Sequence, residues 1–122
     1  MNRHEYRIKI IFTIYQSILL KKDLETCFKD NFEDDDNEFL LAIENDLLLH
    51  EEDYISEITT HLRRWSFDRL NYIDQAILIE AYSEIKSGLN NKNIVIDEAI
   101  RIAKEYSNED SYKYINGVLD NL

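Results

Sequence analysis

A chain of 122 residues, 44% hydrophobic and 11% aromatic, is long enough to bury a core and too apolar to stay disordered. No proline and only two glycines exclude a turn-rich all-β fold, and a single cysteine, Cys27, excludes an internal disulfide. The net charge of −11 disfavours indiscriminate RNA binding, yet residues 1–22 carry five basic groups against one acid while residues 23–64 carry three against 14. No apolar run approaches membrane-spanning length, and no signal-peptide core accompanies Arg3, Arg7 and Lys9. A soluble, cytoplasmic protein is expected.

Residues 3–21 have the period of an amphipathic helix, with Ile8, Ile11, Tyr15, Ile18 and Leu19 inward and Ile10 and Ile14 widening the stripe. Arg3 and Arg7 lie four apart and share a face, with His4 beside them. Leu24 to Phe32 predicts a short second helix, and Glu33 to Asn37 a loop that ends in an N-cap. Phe39, Leu40, Ile43, Leu47 and Leu48 predict a third helix to His50, and Tyr54, Ile55, Ile58 and Leu62 a fourth to Arg64. Trp65 to Asp68 reads as a connection, with Asp68 as N-cap of a fifth helix reaching Lys86. Gly88 suits a left-handed cap. A sixth helix to Tyr106 and a seventh from Asp110 to Asn121 complete an all-α reading of about seven helices, without repeats or linkers.

Two strings in this pattern are specific. The first is Trp65, then Arg69-Leu70, Ile73-Asp74-Gln75-Ala76-Ile77-Leu78 and Glu84-Ile85. The second is Asp97-Glu98-Ala99, Ala103-Lys104, Asp110-Ser111 and Asn116-Gly117-Val118-Leu119-Asp120. Together they resemble the NusB family of transcription antitermination factors. The resemblance implies two three-helix bundles side by side, with residues 1–122 forming one NusB-like helical domain. It also implies binding of boxA RNA in ribosomal RNA leaders together with NusE, a small-subunit ribosomal protein. Indirect attachment to elongating RNA polymerase follows, without catalysis or a cofactor. Some family members form homodimers.

Carried over by position, the family's arginine-rich start falls on Arg3, His4 and Arg7, and the aromatic before Asn116-Gly117 falls on Tyr114. Guanidinium groups suit phosphates and base edges, and a tyrosine ring suits an unstacked base. Lys104 matches the lysine of the Ala-Lys pair, and Asp110 an acidic position near the NusE contact. Trp65, Asp74, Glu98, Asn116 and Gly117 mark the motif itself, with Gly117 suited to close approach by a helix or an RNA backbone. If Tyr112, Ile115, Leu119 and Leu122 form the buried stripe of the last helix, Lys113 and Tyr114 point elsewhere. One continuous RNA-facing surface of Arg3, Arg7, Lys104, Lys113 and Tyr114 is then expected, with Tyr114→Ala weakening RNA binding at little cost in stability.

Simpler readings stand beside these. Trp65 is expected in the core or between bundles, with no RNA role. Asp110 also fits a helix N-cap. His4, His50 and His61 have no metal-ligand spacing, Cys27 reads as a small buried hydrophobe, and Glu33 to Asp36 lacks the alternation of a calcium loop. Asn90-Asn91 stands where the family usually has proline, and Glu5 interrupts the basic cluster. That thinning supports a competing reading, a NusB-fold assembly module with weak or lost RNA binding. A fused methyltransferase is not expected, since the chain lacks a glycine-rich loop and a catalytic-cysteine context.

Overall fold

The computed structural model describes residues 1–122. Six α-helices follow in order, α1 Arg3–Leu20, α2 Leu24–Asn31, α3 Glu38–Thr60, α4 Tyr72–Lys86, α5 Lys92–Tyr106 and α6 Ser111–Asp120, with a 3-10 turn at Phe67–Arg69. There are no strands, and no helix is long and apolar enough to cross a membrane. The boundaries have local causes. Asn2 and Glu5 form a capping box at the start of α1, which explains the acid inside the basic cluster. Asn37, Asn71 and Asn91 accept the first free amides of α3, α4 and α5. Asn71 therefore replaces Asp68 as the cap of α4. Gly88 closes that helix at φ 74°, where Leu89 N–H reaches Glu84 O and Gly88 N–H reaches Ile85 O.

The expected third and fourth helices are one. Leu47, Tyr54 and Ile58 are all buried on one face of α3, so the charged residues between them form only an exposed turn of a continuous helix. On α1 the buried stripe is rotated from the expected one. Tyr6, Arg7, Ile10, Ile11, Ile14 and Ser17 are buried, while Leu19 is exposed.

Helices α1, α2 and α3 touch one another, as do α4, α5 and α6, and α4 joins the groups by packing on α1 and α3. Every residue of α4 from Asp74 to Glu84 is buried. One hydrophobic cluster of 29 buried residues takes side chains from all six helices. α1 runs antiparallel to α4, with Arg7 against Glu84 near one end and Ser17 and Ile18 beside the crevice of Gln75 and Ile79 near the other.

At that seam Arg7 Nε and Nη2 donate to the two oxygens of Glu84 at 2.7 and 2.9 Å. Glu80 lies beside them with Oε2 buried and served by no N–H or hydroxyl donor. A proton held on Glu80 and donated to Glu84 satisfies this arrangement. Burial first, and the Glu84 charge second, push the Glu80 carboxyl well above its ordinary range. Glu84 itself is held low by hydrogen bonds from Glu80, Arg7 and Asn90, against the opposing effect of burial.

Arg7→Ala is expected to cost about 3–5 kcal/mol in denaturant unfolding, because it strands a buried carboxylate. The pH dependence follows from Glu80. Its contribution is complete below the ordinary glutamate range and is lost as pH rises through the elevated value. Glu80→Gln keeps a donor but does not ionise. Its unfolding midpoint should fall less than that of the wild type as pH rises above the ordinary glutamate range.

Candidate functional site

The N-terminal basic residues divide by burial. Arg3 is exposed, with its guanidinium 4.8 Å from the Phe39 ring centre and a 3.4 Å bond to Asn90 Oδ1. His4 is half-buried, its Nδ1 2.8 Å from Glu98 Oε2. Arg7 is 3% exposed and committed to Glu84, so its expected place on an RNA-facing surface is corrected: it is an internal brace. Glu98, 3.6 Å from Arg7 Nη1, thus ties α5 to the start of α1.

At the other end of α4, Asp74 is buried and gathers hydroxyl groups. Ser107 donates to Oδ1 at 2.5 Å, Ser111 donates to Oδ2 at 2.8 Å, and the Tyr114 hydroxyl also donates to Oδ2. The sequence pairs a buried carboxylate on α4 with three hydroxyls around the α5–α6 turn, and this fixes where Tyr114 stands. Burial and the bond to Asp74 raise the Tyr114 phenol far above its usual value. Tyr114 is therefore not free of the core, as expected from helix phase alone. It is half-buried, and part of it lines an open crevice of ≈ 340 Å³ with Trp65 and Gly117.

The remaining expected residues surround this end. Lys104 is exposed, its ammonium 4.6 Å from the Tyr112 ring centre. Lys113 pairs with Asp110 at 3.2 Å, and both are exposed. Asp110 does not cap α6 with its side chain. Asn116 is half-buried, and a Cβ at Gly117 would meet nothing within 4 Å, so no other part of the chain approaches closely there. Arg3 and Tyr114 reach opposite ends of α4. Asp74 and Glu84 alone are roughly 15 Å apart along the helix axis. The single continuous surface expected from sequence is therefore two patches.

Two features escaped the sequence reading. Trp65 is 56% exposed, which corrects its expected burial, and it stands beside Arg63 and Arg64 on the crevice. Phe12 meets Tyr106 edge-on at 5.1 Å and Tyr15 at 6.0 Å, and both Phe12 and Tyr106 are exposed. Phe12 is out of phase with the buried stripe of α1, which is the signal that could have found it.

Tyr114→Phe isolates the hydroxyl. It should lower stability by about 2 kcal/mol, the usual scale for a hydrogen bond to a charged group. Thermal or urea unfolding measures this directly, and an unchanged midpoint would remove Asp74 as the anchor.

Known proteins match this arrangement along its whole length. The NusB family model covers residues 1–122. The transcription antitermination protein NusB of Ligilactobacillus salivarius is 35% identical, covering 100% of this chain and 98% of that one. The protein of the same name from Staphylococcus epidermidis is 32% identical with the same coverage. The structure of T. maritima NusB superposes with a TM-score of 0.88 at 25% identity, covering 99% of this chain and 89% of that one. A chain from the crystal structure of antitermination factors NusB and NusE in complex with dsRNA shares the fold, with a TM-score of 0.81, 24% identity, and 99% and 96% coverage. With two motif strings, an all-helical fold and full-length relatives in agreement, this chain belongs to the NusB family.

Proposed function

We propose that this chain is a transcription antitermination factor that binds boxA-type RNA together with NusE and so attaches to elongating RNA polymerase. It acts in the cytoplasm by positioning RNA and a partner, and this role involves no catalytic step. The observation that carries the reading is the Asp74 hub. By fastening Ser107, Ser111 and Tyr114 to one carboxylate, it puts an aromatic ring and the Tyr106–Asp110 segment on adjoining surfaces. The ring, beside exposed Lys113, suits a base and its phosphate. The exposed Phe12–Tyr106 pair, with Asp110 close in sequence, suits a protein partner that buries aromatic anchors. Arg3, His4 and Lys104 add RNA contacts on either side.

A second reading is favoured by one observation. With Arg7 buried, the N-terminal cluster offers Arg3 as its only exposed guanidinium, and the body remains strongly acidic. RNA affinity then depends heavily on NusE, or is lost in an assembly-only protein.

Binding of labelled boxA RNA against a scrambled control, with and without NusE at one fixed salt concentration, separates these. Selective binding that NusE strengthens is the expected outcome. NusE binding without RNA selectivity would leave the assembly-only role. Phe12→Ala should weaken NusE binding about tenfold, as loss of an aromatic anchor does, with the melting temperature unchanged.

A further inference from the structure

Trp65 is the only tryptophan of the chain, and it stands in solvent on a segment that is otherwise pinned. Phe67 and Leu70 are buried, and Gln75 Nε2 donates to their carbonyl oxygens at 3.1 and 2.9 Å. The indole is thus held outward by an anchored backbone. Leaving so large a ring in water forgoes substantial apolar burial, which a ligand would recover.

The charges beside it are also unusual. Arg63, Arg64 and Arg69 are exposed and make no ion pair, side-chain hydrogen bond or ring contact. Elsewhere the basic groups are mostly engaged: Arg7 with Glu84, Lys22 with Asp30, Lys29 with Glu25, Lys86 with Glu57 and Lys113 with Asp110. On a body of net charge −11, the free guanidinium groups of Arg63 and Arg64 beside an open indole mark a place for an anion with a flat apolar face. The crevice that Arg63, Arg64 and Trp65 border, ≈ 340 Å³, has Tyr114 and Gly117 on its other side. Since a Cβ at Gly117 would meet nothing within 4 Å, glycine keeps that side low without any packing need inside the chain.

We propose that this crevice is a nucleotide subsite for single-stranded RNA, in which a base stacks on Trp65 and Arg63 and Arg64 hold the flanking phosphates. It rests on the RNA-binding reading above and adds residues outside both the N-terminal cluster and the Asn116-Gly117 motif. A single strand is required, because a base paired within a duplex does not offer its face. An acidic peptide would satisfy the arginines, but it lacks the ring that the indole and Tyr114 flank.

Because no other tryptophan is present, tryptophan emission excited selectively over the tyrosines reports on this site alone. Titration with boxA RNA should quench it, whereas inorganic polyphosphate of matched charge should not. Trp65→Ala should weaken RNA binding about tenfold, the scale of one stacked base, with Trp65→Phe retaining most of the affinity. The double variant Arg63→Gln with Arg64→Gln should weaken binding and reduce the slope of log affinity against log salt by about 1.4. If wild type binds RNA while its fluorescence stays unchanged and the variants bind equally, the subsite is wrong and the RNA-binding reading stands. If wild type binds no RNA, alone or with NusE, both fall. Equal quenching by polyphosphate would overturn base stacking, and quenching by an acidic peptide but not by RNA would assign the crevice to a protein.

Discussion

A helix enclosed by protein on every side must find a partner for each polar group it carries, and α4 brings five polar side chains into the interior. Each recruits a different neighbour. Glu84 takes Arg7 from α1, Ser83 donates to Asp46 of α3 at 2.6 Å, and Gln75 holds the segment carrying Phe67 and Leu70. Asp74 collects the hydroxyls around α5 and α6, and Glu80, buried beside Glu84, has its carboxyl pushed toward the protonated form. Apolar burial drives the helices together without direction. These polar pairs fix which sides of α1, α3 and α6 face α4.

The same pairs place the residues of the proposed binding surface. Asp74 sets the position of Tyr114, and Glu84 removes Arg7 from solvent while Arg3 stays outside. The residues proposed to bind RNA and a partner are therefore divided between the two ends of α4 rather than spread along one basic stripe. Residues 23–64 carry most of the acid, and like charge repels RNA phosphates that lack a specific seat. On the proposed reading, affinity depends on a few well-placed rings and cations and on help from a second protein. The crevice at Trp65 and the Phe12–Tyr106 pair are suited to those two needs.

Much of the architecture was legible in the sequence because helices are local objects. Hydrophobic spacing marked the segments, Asn37 marked the start of α3 and Gly88 the end of α4, whereas the start of α4 lies at Asn71 rather than at Asp68. The error at His50 to Asp53 has the same origin: a charged turn looks like a break, yet nothing there prevents a helix from continuing. The motif strings carried the family, since they sample positions throughout α4, α5 and α6.

Burial of individual side chains was another matter. Arg7 shares helix phase with Ile10, Ile11 and Ile14 as well as with Arg3, so its spacing fits both a buried and an exposed face. Only Glu84, 77 positions away, decides between them. Tyr114 was assigned outward by phase, but its hydroxyl reaches Asp74, 40 positions earlier. Trp65 has the composition of a core residue, yet its neighbours Phe67 and Leu70 fill the interior first. The sequence by itself determined most of the helical segments and the family, because these depend on residues within a few positions of one another. The tertiary structure alone decided which arginine, which tyrosine and which indole meet solvent, because that depends on what stands opposite across the fold.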